Sequence, residues 1–329
     1  MRYSVIIPVY NRPDEVDELL QSLTRQSFKD FEVIVVEDGS SIPCKPVTEK
    51  YQELLDVHYY DKPNSGPGQT RNYGAERSKG EYLIILDSDC ILPEGYFLAV
   101  EEELQHEAAD AFGGPDRAHE SFTDIQKAIN YSMTSFFTTG GIRGGKKKMD
   151  KFYPRSFNMG VRREVYQALG GFSRMRFGED IDFSIRIFKG GYTCRLFPGA
   201  WVYHKRRTDF RKFFKQVHNS GIARINLYKK YPESLSSSTC CRPHFTLGVA
   251  IFLLGTPSAR TACCPSLFMR FWYAWTPLSG TVASASGSTP SPPPSSSSSD
   301  TGRGSCAPGG TAAYLARTSS RRSKKNFYK

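Results

Sequence analysis

The clearest pattern in the chain is an apolar run at residues 82–86 that stops on two acids, Asp87 and Asp89. Consecutive aliphatic residues predict a strand covered on both faces of a parallel sheet, because such strands lose the alternation of apolar and polar positions. Ligands of open α/β sheets bind at the carboxyl ends of strands, and carboxylates at i and i+2 can hold Mg²⁺ or Mn²⁺ there. A solvated strand end is the alternative, since the chain has a second Asp-x-Asp at residues 180–182.

The segments before this strand predict a β-α-β unit. Residues 4–10 and 31–36 are apolar runs typical of strands, and apolar positions at i, i+3, i+4 and i+7 between residues 16 and 23 predict a helix between them. A right-handed crossover then brings residues 8–12 and the acidic segment 37–40 to one ligand-binding edge.

A third strand at residues 57–60 leads through a glycine-rich loop into a helix predicted at residues 70–78. Arg71 and Asn72 fall in the first turn of that helix. Backbone N–H groups at a helix start, together with an arginine, suit an anion such as a phosphate. A surface ion pair is the alternative role for Arg71.

The second half of the chain predicts more elements of both kinds. We expect helices near residues 95–107, 123–137 and 209–231, and strands near residues 109–114, 157–161, 194–197 and 201–204. A further helix has Glu179 and Asp180 in its first turn, where acids also occur simply as caps or partners of the helix dipole. The glycine-rich basic segment 138–148 is either a lid over phosphates or a plain solvated loop.

Charge and cysteine are distributed unevenly along the 329 residues. The chain carries a net charge of +11, but residues 1–234 hold 34 Lys and Arg against 32 Asp and Glu, so the excess lies in the last 95 residues. A near-neutral folded part argues against nucleic acid as a partner. Three scattered cysteines in residues 1–234 indicate a reducing compartment, and the later Cys-Cys doublets lack the spacing of a zinc site.

With these motifs in place, the chain resembles the family 2 inverting glycosyltransferases over residues 3–231. The matching motifs are Ser4–Asn11 (SVIIPVYN), Val35–Ser40 (VVEDGS), Arg71–Gly74 (RNYG), Leu86–Asp89 (LDSD), Gly170–Phe172 (GGF) and Gly178–Asp180 (GED). The resemblance implies the α/β GT-A fold, with a mostly parallel central sheet flanked by helices. It also implies a nucleotide-diphosphate-sugar donor, most simply a UDP-sugar, and a glycan or lipid-linked acceptor of the cell envelope or surface.

The resemblance assigns roles on the donor side of the site. Pro8, Tyr10 and Asn11 would line the nucleotide pocket, and Asp38 would hydrogen-bond the base. Asp87, in the family's Asp-x-Asp motif, would hold the ribose or the metal.

The same resemblance implies the metal and acceptor sides. Asp89 would ligate Mn²⁺ or Mg²⁺, and His204 lies where relatives place a histidine that contacts the metal or the diphosphate, with a buried structural histidine as the alternative. Glu179 and Asp180 match the family's acceptor-side pair, with Asp180 as the base. Arg71 is a candidate to neutralise phosphate charge.

These assignments agree with the chemistry of inversion. The acceptor oxygen attacks one face of the anomeric carbon while the diphosphate leaves from the other, so a carboxylate base and a Lewis-acid metal belong on different elements. A non-catalytic module that binds sugar nucleotides is the alternative function. A nucleotidyltransferase is a second alternative, although residues 8–13 lack the glycine-rich basic loop expected of one.

The C-terminal part departs from the family. We expect a catalytic domain at residues 1–234, an apolar remnant at 235–278 that is too short for a clear transmembrane helix, and a low-complexity Ser/Pro/basic tail at 279–329 that cannot order itself. The loss of acids near Ser236 suggests a shifted reading frame or a truncation; a native basic tail that docks on anionic lipid is the alternative. We expect a cytoplasmic protein at the inner face of the membrane.

Overall fold

The computed structural model describes residues 1–134, 152–205 and 209–234. The segment 138–148, predicted as a lid or a solvated loop, lies outside these residues, as do the segments predicted at 235–278 and 279–329. The domain boundaries therefore stay a prediction. The strands are β1 (Tyr3–Val9), β2 (Phe31–Asp38), β3 (Val57–Lys62), β4 (Tyr82–Leu86), β5 (Cys90–Ile91), β6 (Ala111–Gly113), β7 (Asp116–Arg117), β8 (Asn158–Arg162), β9 (Cys194–Leu196) and β10 (Val202–His204). The helices are α1 (Pro13–Thr24), α2 (Lys45–Glu49), α3 (Pro67–Ala75), α4 (Tyr96–His106), α5 (Asp124–Thr134), α6 (Arg163–Ala168), α7 (Glu179–Lys189) and α8 (Phe210–Lys230), followed by a 3₁₀ turn at Pro232–Ser234.

Seven strands form the central sheet in the order β3-β2-β1-β4-β8-β6-β9. The pairs β3-β2, β2-β1, β1-β4 and β6-β9 are parallel, whereas β8 runs antiparallel to both β4 and β6. The predicted α/β class and mostly parallel sheet are therefore confirmed. The chain moves from β1 outward through β2 to β3 and then returns to the other side of β1 with β4, which makes the gap between β1 and β4 the switch point of the topology.

Apolar side chains cover both faces of the sheet, as the unalternating strands predicted. On β1, Val5 and Ile7 join the larger core cluster with α1 and α4, whereas Ile6 joins a second cluster with residues of α6 and α7. Every residue of β2 and β4 is buried. The two layers of helices explain why these strands show no polar face.

Helix α3 begins earlier than the sequence predicted. Pro67 occupies the first helical position and Gly66, at φ 89°, precedes it, so the helix runs from residue 67 rather than 70. A proline fits a helix start because its missing N–H has no partner there in any case. Arg71 consequently lies in the second turn, which overturns its predicted place among the free N–H groups at the helix start.

A second sheet of three short strands, in the order β5-β10-β7, stands beside the carboxyl end of β4. Its antiparallel pair β5-β10 aligns His204 with Cys90, the residue after Asp89. Asp89 and His204, which are 115 positions apart in the sequence, are thereby brought next to each other. This small sheet, rather than the central one, fixes the position of His204.

Helix α7 packs against the long basic helix α8 through Ile181, Ile185, Leu227 and Tyr231. The carboxylate of Asp182, fully buried on α7, accepts hydrogen bonds from Lys230 Nζ at 2.5 Å and Tyr231 Oη at 3.0 Å. Within the described residues, no helix combines the length and the apolar character needed to cross a bilayer.

Candidate active site

The candidate site lies at the carboxyl ends of β1, β2 and β4, beside the switch point. Pro8 pairs with Val36 of β2, but the pairing of β1 with β4 ends at Ile6 and Ile85. Beyond that pair the two strands part, which opens the sheet edge to a ligand. Tyr10, 54% exposed, follows β1 directly at this edge.

Arg71 joins the donor-side and acceptor-side acids. One guanidinium nitrogen lies 2.8 Å from Asp87 Oδ1 and another lies 3.1 Å from Glu179 Oε1. The side chain is buried, and its guanidinium carbon lies 5.3 Å from the centre of the Phe172 ring. Burial by itself lowers the pKa of Arg71, but the two carboxylates outweigh burial and raise it, so the cation is fixed between them. Of the two predicted roles, the ion pair is what the structure contains, although it is buried rather than at the surface.

Asp89 has a cation on one side and an imidazole on the other. Its Oδ2 lies 2.9 Å from Arg12 Nη1, and its Oδ1 lies 3.3 Å from His204 Nε2. The His204 ring stacks on Phe157 with centroids 4.7 Å apart, and its Nδ1 lies 4.0 Å from the buried carboxylate of Asp116. At 4.0 Å the Asp116 carboxylate does not form a hydrogen bond with the ring, so stacking on Phe157 is the contact that orients His204.

The donor atoms of this group fit Mn²⁺ or Mg²⁺. Asp89, Cys90 and His204 bring three ligand atoms within 4.8 Å of one another. The buried thiol of Cys90 donates a hydrogen bond to the backbone carbonyl of Phe157 at 3.3 Å, which leaves the carboxylate and the imidazole as the ligands. Carboxylate oxygen suits both ions, whereas imidazole nitrogen is typical of transition-metal sites, so of the two ions this donor set favours Mn²⁺. Asp87 is not among the residues of this group, and its Oδ1 accepts a hydrogen bond from Arg71 at 2.8 Å, so its predicted contact with the metal or the ribose stays a prediction.

Glu179 and Asp180 start α7, as predicted, and their environments differ. Burial raises the pKa of Glu179 above its ordinary value, and the charge of Arg71 only partly opposes that effect. Burial also tends to raise the pKa of Asp180, but Arg155, 3.1 Å from Asp180 Oδ2, and a hydrogen bond from the Ile181 N–H outweigh it and lower the pKa. Asp180 therefore stays ionised to lower pH than Glu179 does.

Asp38 has its carboxylate buried in the loop that precedes α3. It accepts hydrogen bonds from the backbone N–H groups of Ser65 and Gly66, each at 2.9 Å, and forms an ion pair with Lys62. Contact with a nucleotide base stays a prediction, and a base at this position would share the carboxylate with these donors.

Asn11 organises the loops at the same edge. Its backbone adopts the left-handed conformation, at φ 55°, which asparagine tolerates better than most residues. Its side-chain Oδ1 accepts hydrogen bonds from the backbone N–H groups of Ser41 at 2.8 Å and Ile42 at 3.0 Å. Asn11 thus ties the turn after β1 to the loop after β2. The predicted nucleotide-lining roles of Pro8, Tyr10 and Asn11 stay predictions.

Sequence reasoning missed three charged residues at this site: Arg12, Lys62 and Arg155. Arg12 follows Asn11 in the turn after β1, so its position at the ligand edge was available from the strand prediction. Arg155 lies in no motif and reaches Asp180 only through the packing of the segment before β8 against α7. Nothing in the sequence around Arg155 indicates that pairing.

A central sheet with charged side chains gathered at its switch point is the arrangement of a nucleotide-binding α/β protein. The sequence profile described as Glycosyl transferase family 2 matches residues 4–170, just over half of the chain. The chain belongs to this family.

Two relatives illustrate the extent of the similarity. A Haemophilus influenzae protein named an uncharacterized glycosyltransferase is 30% identical over 193 residues, covering 56% of this chain and 62% of the relative. The poly(ribitol-phosphate) beta-N-acetylglucosaminyltransferase TarS of Staphylococcus aureus is 39% identical over 93 residues, covering 27% of this chain and 16% of TarS. The chain therefore spans less than two thirds of the length of either relative.

Solved structures agree with the fold. TarS 1-349 in complex with UDP-GlcNAc matches with a TM-score of 0.51 and 23% identity, over 64% of this chain and 60% of that one. The mannosyltransferase PcManGT of Pyrobaculum calidifontis, in complex with GDP-Man and Mn²⁺, matches with a TM-score of 0.52 and 19% identity, over 64% and 58% of the two chains. The predicted GT-A fold is confirmed.

Proposed function

We propose that the protein is a metal-dependent inverting glycosyltransferase that moves a sugar from a nucleotide diphosphate, most simply UDP, to a hydroxyl of a glycan or lipid-linked acceptor. The observation that carries the proposal is the position of Arg71, which contacts Asp87 on one side and Glu179 on the other. Through this one side chain, the acids at the end of β4 and those at the start of α7 lie at a single site. An inverting transfer needs acids in both places.

The two acids at the start of α7 have different roles on the acceptor side. Asp180 remains a carboxylate because Arg155 lowers its pKa, so it can accept the proton of the acceptor hydroxyl. Glu179, whose pKa is raised by burial, orients Arg71 instead. Carboxyl groups with pKa values moved apart by their surroundings are the usual pattern where one of a pair acts as acid or base.

Asp89 and His204 would hold Mn²⁺ or Mg²⁺, which supplies charge neutralisation to the leaving diphosphate. Arg12, already paired with Asp89, adds a second positive charge at the same place. The neighbour structures support a nucleotide-sugar donor, since TarS is bound to UDP-GlcNAc and PcManGT to GDP-Man with Mn²⁺. The exposed Tyr10 ring at the end of β1 offers a surface on which a base can stack.

Helix α8 supports contact with an anionic membrane surface, where a lipid-linked acceptor would be found. Phe210, Phe214, Val217, Ile225 and Tyr228 recur at helical spacing and are each between 46% and 72% exposed. The helix carries six lysines and arginines and no acid. An apolar stripe flanked by basic residues is the composition of helices that lie in a lipid interface.

The proposal is tested on the full chain by thermal unfolding and by donor turnover, with UDP-, GDP- and dTDP-sugars, with and without Mn²⁺. We expect one donor to raise the unfolding temperature only when metal is present, and Asp89→Asn to abolish that rise. Asp180→Asn should keep the rise and lose transfer. The exposed Asp61→Asn serves as the control, with both properties unchanged.

Two other outcomes would support the two alternative functions. Metal-dependent donor binding without turnover, on soluble and lipid-linked acceptors alike, assigns a sugar-nucleotide-binding module. Formation of a nucleotide sugar from a nucleoside triphosphate and a sugar phosphate, with release of pyrophosphate, assigns a nucleotidyltransferase. Failure of every donor to bind contradicts all three functions.

A further inference from the structure

A second group of ligand-type side chains lies at the opposite end of the sheet from the candidate active site. Glu32 is the second residue of β2, Asp56 directly precedes β3, and His58 is the second residue of β3. Their ligand atoms lie within 4.8 Å of one another. Because Asp38 ends the same strand, six residues beyond Glu32, the two places are about 20 Å apart along β2.

The parallel pairing of β2 and β3 explains why the three side chains converge. His58 pairs with Ile34 and Val57 pairs with Val33. One position earlier in each strand direction, Glu32 and Asp56 therefore lie side by side. Side chains two positions apart on a strand point to the same face of the sheet. The register therefore sets two carboxylates and one imidazole on one face, at the amino ends of the strands.

Glu32 is an unusual residue at this position because it is fully buried in the sheet. Its Oε1 accepts hydrogen bonds from Ser4 Oγ and from the Lys79 N–H, each at 2.6 Å. Its Oε2, also buried, accepts none from the described residues and points toward His58 Nε2, 3.6 Å away. A buried carboxylate oxygen without a donor is costly unless a cation or proton lies beside it.

The imidazole of His58 likewise has a buried polar atom without a hydrogen bond. His58 Nε2 lies 3.1 Å from Asp56 Oδ1, yet this buried nitrogen makes no hydrogen bond with acceptable geometry to either acid or to any other described residue. Three ligand atoms thus converge without satisfying one another by hydrogen bonding. That arrangement is expected where an ion, rather than a proton, is shared.

We propose that Glu32, Asp56 and His58 form a binding site for a divalent transition metal of the zinc type. Zinc takes carboxylate oxygen and imidazole nitrogen at about 2.0–2.2 Å, which puts ligands of a tetrahedral site roughly 3.3 Å apart. The distances of His58 Nε2 to the two acids, 3.1 and 3.6 Å, lie on either side of that value. Asp56 and His58 are partly exposed, so an ion can enter from solvent and water can complete its coordination.

The consequence of binding is structural. Strand β3 is the edge strand of the central sheet, and the ion joins its first residues to β2. A metal that binds only the folded protein stabilises it in proportion to its concentration above the dissociation constant. At zinc about a hundredfold above that constant, we expect the unfolding temperature to rise by roughly 5–10 °C.

The test uses zinc chloride and the full chain carrying Asp89→Asn, so that the candidate active-site ligand is absent and the outcome does not depend on the proposed function. We expect calorimetric zinc binding and a rise in unfolding temperature, both lost when His58→Gln is added. The matched control adds His106→Gln, an exposed histidine in the last turn of α4, and should keep both.

Glu32→Gln and Asp56→Asn, each in the Asp89→Asn background, extend the test. Each should weaken zinc binding by about tenfold or more, because each removes one charged ligand. Zinc affinity and stoichiometry unchanged by His58→Gln, in protein whose far-ultraviolet circular dichroism matches the parent, would overturn the proposal and assign the group as an ion pair only.

Discussion

Arg12 Nη1 lies 2.9 Å from Asp89 Oδ2, so a cation of the protein itself contacts the carboxylate assigned to the metal. The arginine follows β1 and the aspartate follows β4, so the two side chains meet at the carboxyl ends of neighbouring parallel strands. A divalent ion that binds Asp89 has to share the carboxylate with this guanidinium.

We expect Arg12→Ala to tighten Mn²⁺ binding by about twofold to fivefold, the value of a partly exposed ion pair. The measurement is the electron paramagnetic resonance signal of free Mn²⁺ during titration, without donor. Arg25→Ala, an exposed arginine after α1, is the control and should not change the affinity. Weaker Mn²⁺ binding in Arg12→Ala would contradict this account of the pair.

Arg71 should be important for stability as well as for function. Arg71→Ala leaves the carboxylates of Asp87 and Glu179 without their counter-charge, which we expect to lower the free energy of unfolding by about 3–5 kcal/mol. Arg71→Lys keeps the charge but cannot reach both acids through separate nitrogens, so its loss should be smaller. Urea unfolding monitored by fluorescence measures both, and equal losses for the two variants would argue against bridging by the planar guanidinium.

The pH dependence of transfer should report the contact between Arg155 and Asp180. Because Arg155 lowers the pKa of Asp180, the base stays ionised to lower pH than an ordinary aspartate, and kcat/KM should fall only in acid. In Arg155→Met the pKa of Asp180 rises, so the acidic limb should move to higher pH. An acidic limb at the same pH in Arg155→Met and in wild type would exclude Asp180 as the titrating base.

Asp182 should link the stability of α7 and α8 to pH. Burial alone raises the pKa of Asp182, but the hydrogen bonds from Lys230 and Tyr231 and the charge of Arg186 lower it below its ordinary value. The Asp182 carboxylate therefore binds a proton more tightly in the unfolded chain than in the folded protein. The stabilisation by this carboxylate is complete above the pKa of an unfolded aspartate, and it is lost as pH falls through the lower pKa of the folded state.

We expect Asp182→Asn to lower the free energy of unfolding at pH 7 by roughly 2–3 kcal/mol, from the loss of charge-assisted hydrogen bonds. Unfolding by urea at several values from pH 7 to pH 3 should show the difference between variant and wild type shrinking in acid. A difference that stays constant over this range would mean that the charge of Asp182 is not what stabilises the pair of helices.

The two adjacent glycines of the Gly-Gly-Phe motif should respond differently to alanine. Both have positive φ, at 70° for Gly170 and 62° for Gly171, but a Cβ on Gly170 meets nothing within 4 Å, whereas one on Gly171 falls 2.5 Å from Asn72 Oδ1. That oxygen accepts hydrogen bonds from Tyr166 Oη and the Phe172 N–H, which hold α3 to this turn.

We expect Gly170→Ala to cost about 1 kcal/mol, from backbone strain alone, and Gly171→Ala roughly 2–4 kcal/mol, because overlap adds to the strain. Differential scanning calorimetry of both variants measures the two costs under the same conditions. Equal losses at the two positions would show that the contact with Asn72 contributes nothing.

The sequence alone determined the order of the longer strands and helices and the place of most acids, whereas the short elements α2, β5 and β7 were not predicted. Apolar runs without alternation fixed β1, β2 and β4 as strands covered on both faces, and the acids that end β2 and β4 followed directly from those runs. A strand that is covered on both faces needs apolar residues at successive positions, so the local sequence alone indicates it. The start of α3 was misplaced because a proline that opens a helix has the same sequence appearance as a loop proline.

Only the tertiary structure decided which charges meet. The pairings of Arg12 with Asp89, Arg155 with Asp180 and Arg71 with Glu179 join segments that are 25 to 108 positions apart. His204 reaches Asp89 because a second small sheet aligns it with Cys90, and His58 reaches Glu32 because β2 and β3 pair in one register. Contacts of this kind depend on register and on packing between elements, which no local pattern of apolar and polar residues specifies.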